Sequence, residues 1–505
     1  MNPAIELIGI DKRFGAVHAN KEVTLSIGKG SIHGIIGENG AGKSTLMSIL
    51  FGFYSADKGE IRIDGKPAKI KSSADAISRG IGMVHQHFML VDPFTVLENV
   101  VLGAEGGVLI GPALAKARAE LERLARDYEL DVDPDAIVGK LPVGLQQRVE
   151  ILKALFKGAE VLILDEPTGV LTPDEADHLF RILGQLRGQG KTVILITHKL
   201  REIMAITDQV SVMRRGELVA NRQTRTTNVG ELAELMVGRS VLLRVEKGPA
   251  KPGKTILSVE NLTVKDHQGV ARVDNVTFQV RAGEIVGIAG VSGNGQSELL
   301  EALSGIVKPA SGKILFEDRD ISGLADPRRM RELGLAHVPE DRQHRGLVTS
   351  FDASESAILG WHNDDSLGQG LHLDRAAVIA RCKLGMEEFD VRPVNPLLKS
   401  AKFSGGNQQK IILAREIGRD PKLLIVGQPT RGVDIGAIEF IHRRLIELRD
   451  QGKAIILVSV ELDEIRSLSD RILVMFAGRI MGERQSSAKE RELGLLMAGV
   501  SKEAA

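Results

Sequence analysis

The chain has 505 residues, which predicts several domains at a usual size of about 150 residues each. It carries 66 basic and 66 acidic residues, and 3% of its residues are aromatic. This balance excludes a strongly basic nucleic-acid surface and disfavours a base-stacking one. The single cysteine, Cys382, excludes an internal disulfide and fits a reducing compartment. No apolar run approaches the roughly 18 residues of a membrane span, and the start lacks a signal-like apolar core, so we expect no membrane-spanning segment.

The first motif is a glycine-rich loop between a strand pattern and a helix pattern. The apolar run Ile32 to Ile36 precedes it, and apolar residues at helical spacing follow from Leu46. This is P-loop spacing, in which backbone N–H groups and a helix N-terminus face phosphate oxygens. Lys43 is placed to reach the β- and γ-phosphates, and the Ser44 hydroxyl to bind Mg²⁺. The predicted nucleotide-binding residues are Gly37, Glu38, Asn39, Gly40, Ala41, Gly42, Lys43, Ser44 and Thr45.

A pair of carboxylates follows a later apolar run. Val161 to Leu164 form a buried-strand pattern that ends in Asp165 and Glu166. Asp165 suits the Mg²⁺ shell, because hard cations prefer carboxylate oxygens. Glu166 suits a general base, or a group that orients water for attack on the γ-phosphate.

The arrangement of strands and helices predicts an α/β fold. A helical region includes Leu114 to Tyr128, and a further helix covers Ala176 to Arg187 between two apolar strands. Strands that alternate with helices form a parallel sheet covered on both faces. We therefore predict, in each half of the chain, a β-rich start, a sheet core and a helical subdomain inserted after the P-loop.

The chain repeats itself. Gly37 to Ser44 is echoed by Gly290-Val-Ser-Gly-Asn-Gly-Gln-Ser297 at an offset of 253 residues. Leu162 to Thr168 is echoed by Leu424-Ile-Val-Gly-Gln-Pro-Thr430 at an offset of 262. Motifs that recur in the same order indicate a duplicated domain with small insertions in the second copy.

A segment rich in Pro, Gly and Lys separates the two copies. Lys247 to Lys254 has the composition of an exposed linker. We predict a first domain at residues 1–238, a linker at 239–256 and a second domain at 257–505.

With these motifs in order, the chain resembles the ATP-hydrolysing subunit of an ABC transporter. The resemblance implies that His198 is a switch histidine at the γ-phosphate. It implies that Gln86 is the loop glutamine that senses Mg²⁺ and the membrane partner, and that Phe14 stacks on adenine. The implied catalytic set is therefore Lys43, Glu166 and His198, and the implied metal set is Ser44, Gln86 and Asp165.

The family also completes each ATP site with a signature loop from the opposite domain. The second copy supplies a matching loop, which implies nucleotide-binding roles for Ser404, Gly405, Gly406 and Gln408. In the first copy, Pro142 replaces the serine and Val143 replaces a glycine, which removes a backbone donor and restricts the chain.

The second copy departs from the family in its own catalytic positions. Its substitutions are Gln296 for the P-loop lysine, Gly427 and Gln428 for the two carboxylates, Val460 for the histidine, Glu340 for the loop glutamine and His267 for the adenine-stacking aromatic. Gly290, Gly293, Gly295 and Ser297 remain. In the family's head-to-tail pairing, Asp434 faces the intact site and Thr172 replaces its counterpart. We expect one hydrolytic site and one degenerate site.

The tandem arrangement is similar to importers of simple sugars and of nucleosides. Three stretches favour the nucleoside branch: Met83 to Leu90, Val143 to Glu150 and Gly293 to Leu299. Sugar-branch relatives usually have arginine at position 296. The resemblance implies ATP and Mg²⁺ as cofactors, two permease subunits and an extracytoplasmic solute-binding protein as partners, and a peripheral position at the cytoplasmic face of the membrane.

Two hypotheses that assign the chain a different class of function remain as alternatives. A soluble tandem protein acting on ribosomes or DNA usually keeps both ATP sites and often a long charged linker, whereas this chain has neither feature. A non-hydrolysing regulator conflicts with the complete set at Lys43, Asp165, Glu166 and His198.

Overall fold

The computed structural model describes residues 3–500, apart from residues 16, 86–87, 104–109, 169–170, 172, 240–244, 292, 363 and 370–371. The chain divides into two compact units, Met1–Val241 and Leu242–Ala505, here called unit one and unit two. Among the described residues, no helix has the length and hydropathy of a membrane span.

Unit one contains two sheets. Its strands are β1 (Pro3–Phe14), β2 (Val17–Gly28), β3 (Ile32–Gly37), β4 (Lys58–Ile63), β5 (Lys66–Pro67), β6 (Ile81–Val84), β7 (Val161–Asp165), β8 (Thr192–Ile196), β9 (Gln209–Arg214) and β10 (Glu217–Gln223). Its helices are α1 (Lys43–Leu50), α2 (Ser73–Ser78), α3 (Val96–Val101), α4 (Ile110–Asp127), α5 (Val143–Phe156), α6 (Pro173–Gly188), α7 (Leu200–Ile206) and α8 (Val229–Val237).

The larger sheet of unit one has the order β10-β9-β3-β8-β7-β6, and its strands are parallel except for the edge pair β9 and β10. Every residue of β3, β7 and β8 is buried, because helices cover both faces of a parallel sheet. The smaller sheet, β2-β1-β4-β5, is antiparallel. β2 alternates buried and exposed residues from Val23 to Ile27, as expected of a strand with one face in the core.

The helical insertion lies between β6 and β7. Helices α3 and α4 both pack on α5. The helix predicted at Leu114 to Tyr128 is confirmed as α4, and the apolar residues Leu121, Leu124 and Ala125 are buried. A single amphipathic helix buries its apolar stripe against neighbouring helices, which is why the periodicity identified it.

Unit two repeats this architecture. Its strands are β11 (Thr255–Lys265), β12 (Ala271–Arg281), β13 (Ile285–Ala289), β14 (Ser311–Phe316), β15 (Arg319–Asp320), β16 (Leu335–Val338), β17 (Gly368–Gln369), β18 (His372–Leu373), β19 (Leu423–Gly427), β20 (Ala454–Ser459), β21 (Arg471–Phe476) and β22 (Arg479–Gln485). Its helices are α9 (Gln296–Leu303), α10 (Pro327–Leu333), α11 (Ala353–Ala357), α12 (Arg375–Glu388), α13 (Gly405–Ile417), α14 (Ile435–Asp450), α15 (Leu462–Leu468) and α16 (Glu490–Met497).

The sheet orders of unit two, β12-β11-β14-β15 and β16-β19-β20-β13-β21-β22, match those of unit one strand for strand. A hairpin of β17 and β18 is added in its helical insertion. Residues 245–254 form no helix or strand, and the Arg449 guanidinium donates to the Gly248 carbonyl oxygen at 3.0 Å. β11 begins at Thr255, slightly before the predicted domain start at 257.

Candidate functional site

Sheet order brings the predicted groups of unit one to a single edge. The P-loop follows β3, the carboxylates end β7, and β8 lies between these strands and leads into His198. The carboxyl ends of parallel strands form one edge, where ligands of open α/β sheets bind.

The backbone of the P-loop depends on Gly42. This residue has φ 97°, a left-handed conformation, and it immediately precedes α1. A Cβ atom at this position would lie 2.2 Å from the Ala19 carbonyl oxygen, so no other residue fits without displacing β2. The side-chain amide of Asn20 donates to the Gly42 carbonyl oxygen at 3.0 Å and holds the loop from behind. Asn39, Gly40 and Ser44 form the exposed rim of the loop.

Lys43 folds back over the loop. Its Nζ donates to the Gly37 carbonyl oxygen at 2.8 Å and to the Glu38 carbonyl oxygen at 3.1 Å. Burial lowers the pKa of Lys43, while the charges of Glu166, Asp165 and Glu38 oppose this shift. A buried ammonium bound by neutral carbonyl oxygens and facing carboxylates fits a phosphate-binding role, because an anion would supply stronger acceptors.

Asp165 and Ser44 provide hard oxygen atoms side by side. Burial raises the pKa of Asp165, and a hydrogen bond with Ser44 and the charge of Lys43 act in the opposite direction. A hydroxyl and a carboxylate fit Mg²⁺, which takes one or two protein oxygens together with phosphates and water. The third predicted metal residue, Gln86, lies outside the described residues.

Glu166 is held in an unusual backbone conformation. Its φ is 47°, and its N–H donates to the Ile196 carbonyl oxygen of β8 at 2.8 Å. The side chain pairs with His198, with Glu166 Oε1 and His198 Nδ1 2.8 Å apart. Burial raises the pKa of Glu166, but the hydrogen bond and charge of His198, with Lys43 and Lys199, lower it more, so the net pKa is below the ordinary value. An ionised carboxylate at this edge can orient water and accept its proton.

We predict that His198→Ala moves the acid limb of the pH–rate profile of ATP hydrolysis to higher pH. His198 lowers the pKa of Glu166, whereas burial raises it. Without the imidazole the pKa of Glu166 is therefore higher, and the carboxylate takes up a proton at higher pH as the solution is acidified. The ionised form needed for catalysis is then lost sooner. The measurement is kcat against pH for both proteins. An acid limb at the wild-type position, whatever the fall in kcat, would contradict this pairing.

Phe14 lies at the end of β1 and is 41% exposed. Its ring meets the Tyr54 ring edge-on, with centroids 5.1 Å apart, and Lys12 Nζ lies 5.4 Å from the ring centroid. An exposed aromatic face suits the predicted adenine contact. Tyr54 was missed by the sequence reasoning, because its contact with Phe14 joins two separate segments.

The sequence reasoning also missed a buried hydrogen-bond network behind the site. The hydroxyl of Thr168, just after the carboxylate pair, donates to the Glu202 carboxylate, and Thr197 Oγ1 donates to the same group at 3.1 Å. Burial raises the pKa of Glu202, opposed by these hydrogen bonds and the charges of Lys199 and His198. Glu202 therefore joins the segment after β7 to the segment after β8. Its signal in the sequence was an acidic residue one helical turn after His198.

Unit two has the backbone conformation that holds Glu166 in unit one, but it lacks the ionisable side chains of unit one at these positions. Gln428 has φ 47°, and its N–H donates to the Val458 carbonyl oxygen at 2.8 Å, as Glu166 does to Ile196. Its Oε1 accepts from the Val460 N–H at 3.3 Å. Gln296 is buried in the loop, where in its satisfied amide orientation it donates to the Val291 carbonyl oxygen and accepts from the Gly290 N–H. These groups provide neither a base nor a cation.

The two signature loops differ in their helix caps. Ser404 caps α13, with its Oγ 3.4 Å from the Asn407 N–H, whereas Pro142 gives α5 no side-chain cap. Gln408 is buried and donates to the Ser400 carbonyl oxygen at 3.0 Å, so its side chain supports the loop from inside unit two. Asp434 caps α14 by accepting from the Ala437 N–H at 2.8 Å. Thr172 lies outside the described residues.

Comparison with known proteins identifies the family. The family model described as ABC transporter matches residues 20–169 and 273–431, which together contain both P-loops, both signature loops and both strand-end pairs. The chain belongs to the ABC transporter family. As a member it binds and hydrolyses ATP, and unit one carries the lysine, carboxylates and histidine that this chemistry requires.

Full-length relatives of this ABC protein include importer subunits. It is 47% identical to the nucleoside import ATP-binding protein NupA of Lactococcus lactis subsp. cremoris, over 98% of each chain. It is 47% identical to the guanosine import ATP-binding protein NupO of Bacillus subtilis, over 99% of this chain and 98% of the relative. It is 43% identical to the glucose import ATP-binding protein TsgD13 of Haloferax volcanii, over 98% of this chain and 96% of the relative.

A solved structure supports the tandem fold. The crystal structure of the archaeal ribosomal stalk protein aP1 with the ribosome recycling factor aABCE1 matches with a TM-score of 0.62 at 20% identity. The match covers 97% of this chain and 92% of that chain. At this identity the similarity shows the fold alone.

Proposed function

We propose that this chain energises the import of nucleosides, and that unit one performs the hydrolysis. The observation that carries the proposal is the asymmetry between the units on one shared backbone: Glu166 pairs with His198 in unit one, whereas Gln428 and Val460 occupy these positions in unit two. The two relatives at 47% identity, named for nucleoside and guanosine import, support the substrate class.

Mg²⁺ is the metal that the donor atoms of unit one favour. Ser44 and Asp165 would hold it, and Gln86 is proposed as a further ligand. The bound cation would neutralise charge on the phosphates. Lys43 binds phosphate, Glu166 holds the attacking water and accepts its proton, and His198 keeps Glu166 ionised and oriented.

The proposed partners are two membrane permease subunits, which would dock near Gln86 and Glu340, and an extracytoplasmic solute-binding protein. The chain would lie at the cytoplasmic face of the membrane through these subunits. Binding of ATP drives a transport cycle through its differential affinity for two conformations of the transporter. If the proposal is right, the chain co-purifies with integral membrane proteins. A chain that never co-purifies with them would contradict it.

The family resemblance also implies that Ser404, Gly405, Gly406 and Gln408 serve the ATP of unit one. The Ser404 hydroxyl at the N-terminus of α13, where α5 has Pro142, supports this proposal, because a serine hydroxyl and the N–H groups of a helix N-terminus can donate hydrogen bonds to phosphate. Ser404→Ala should lower ATP turnover and Pro142→Ala should not. Equal turnover in both variants would contradict the assignment.

Uptake measurements test the substrate class. Cells that lack this chain should lose uptake of labelled guanosine and other nucleosides, and wild type should restore it where Lys43→Ala does not. Glucose and ribose are measured in the same cells, because the relative at 43% identity is named for glucose import. A defect confined to sugars would support the simple-sugar importer instead. No defect in either class would contradict both.

A further inference from the structure

A buried carboxylate lies behind Glu166 and His198, here called the catalytic pair. Glu202, on α7, is 7% exposed, and its two oxygen atoms accept hydrogen bonds from two different segments of unit one. The hydroxyl of Thr168 donates to Oε1, and Thr197 Oγ1 donates to Oε2 at 3.1 Å. Both threonines are buried. Because a buried carboxylate needs hydrogen bonds to its oxygens, this arrangement fixes the spacing of the two threonines.

The two threonines flank the catalytic pair in the sequence. Thr168 lies two residues after Glu166, and Thr197 directly precedes His198. Glu202 therefore binds both segments that carry the pair, the one that follows β7 and the one that follows β8. Within the pair, Glu166 Oε1 and His198 Nδ1 are 2.8 Å apart. A hydrogen bond weakens steeply as its geometry departs from the ideal, so this contact depends on what holds the two segments together.

The same hydrogen bonds fix the backbone around His198. Thr197 Oγ1 accepts from the Lys199 N–H at 3.0 Å and donates to Glu202. The residues before and after His198 are thus joined through one hydroxyl, which is itself bound to the carboxylate. Burial raises the pKa of Glu202, and the hydrogen bond from Thr168 and the charge of Lys199 oppose this shift.

Unit two uses the corresponding carboxylate differently. Glu464 is the third residue of α15, as Glu202 is of α7. Its Oε1 lies 2.9 Å from Nε2 of His442, a buried residue of α14. Its Oε2 has no hydrogen-bond partner within the part of the chain that the structure describes. The carboxylate that joins two strand ends in unit one is therefore paired with a helix in the unit that lacks the base and the histidine.

We propose that Glu202 is a positioning residue for ATP hydrolysis, which holds His198 against Glu166 by binding Thr197 and Thr168. The inference rests on the function proposed for unit one. Glu202 acts through the catalytic pair and takes no part in proton transfer. A displacement of about 1 Å in a catalytic group can lower a rate by about 10²-fold, so a support of this kind has a large effect on turnover.

Glu202→Gln tests the proposal. The amide oxygen can accept from one threonine hydroxyl, but the NH₂ group cannot accept from the other. We expect kcat to fall by about 10- to 100-fold and the Kd for ATP to stay at the wild-type value, because the hydrogen bonds of Lys43 in the P-loop are not touched. Steady-state phosphate release and equilibrium binding of ATP measure the two quantities in the full-length protein.

Two further variants accompany this measurement. Thr168→Val removes one of the two hydroxyls and keeps the shape of the side chain, so it should lower kcat with the same unchanged Kd. It replaces Glu202→Gln if thermal unfolding shows that the latter is not folded. Glu464→Gln makes the matched exchange in unit two and should leave kcat at the wild-type value.

The combination with His198→Ala separates positioning from a general loss of structure. If Glu202 acts through the histidine, Glu202→Gln should have little further effect on kcat once His198 is alanine. Effects of independent sites combine, whereas effects of residues that act together do not. A double variant whose loss of kcat equals the product of the two single losses would overturn the positioning role.

The remaining outcomes distinguish this inference from the function proposed for unit one. Unchanged turnover in Glu166→Gln would contradict hydrolysis in unit one. Lost turnover in Glu166→Gln, together with wild-type kcat in folded Glu202→Gln or Thr168→Val, would overturn the positioning role alone. An equal fall of kcat in Glu464→Gln and Glu202→Gln would also overturn it, because a carboxylate remote from the pair would then matter as much.

Discussion

Glu166→Gln strongly lowers ATP turnover and leaves ATP bound. The amide keeps the shape of the side chain but cannot accept a proton from water, and it loses the charge that His198 and Lys43 stabilise. Loss of a positioned base should lower kcat by about 10² to 10⁴. Phosphate release in the steady state measures the rate, and equilibrium binding of ATP shows that the site is otherwise intact.

The opposite exchange in unit two is the matched control. Gln428→Glu places a carboxylate at the same backbone conformation, but the neighbouring positions hold Gln296 and Val460 instead of a lysine and a histidine. Turnover should stay close to that of the wild type. The assignment of hydrolysis to unit one is wrong if Glu166→Gln retains wild-type turnover.

Lys43→Ala weakens ATP binding and abolishes transport. The Nζ atom now donates to two carbonyl oxygens of its own loop and would donate to phosphate oxygens when ATP is bound. A hydrogen bond to a charged group contributes about 1.5–3 kcal/mol. Since about 1.4 kcal/mol changes an equilibrium tenfold, the Kd for ATP at unit one should rise by about 10- to 100-fold.

Lys29→Ala is the control for Lys43→Ala. Lys29 is an exposed lysine of the same unit, paired with Asp64 at 3.0 Å and away from the P-loop. Its removal subtracts the same charge but should leave the Kd for ATP unchanged, because surface pairs contribute little and are screened. Equal effects of both variants would mean that net charge, and not the position of Lys43, governs binding.

Much of the fold could be predicted from local patterns. The buried runs of β3, β7 and β8 and the stripe of α4 follow from periodicity, and the offsets of 253 and 262 residues showed the duplication before any contact was known. These features depend on residues that are close in sequence. The P-loop was predictable for the same reason.

Other features depend on contacts between distant segments. The sequence could not place β8 between β3 and β7, because strand order arises from packing of the whole sheet. The contact of Tyr54 with Phe14 and the hydrogen bonds of Glu202 join separate segments. The sequence shows Glu340 only as a substitution for the loop glutamine. In the structure its side chain lies beside Gly427.

ATP hydrolysis is expected in unit one. The most direct measurement traps hydrolysed nucleotide with vanadate and photoactivatable labelled ATP in the assembled transporter, followed by cleavage in the segment between the units. If hydrolysis occurs in unit one, vanadate-dependent label will be found in the fragment that contains Lys43 and Glu166, and any label in unit two will be independent of vanadate. Vanadate-dependent label in the fragment that contains Gln296 and Gln428 would contradict it.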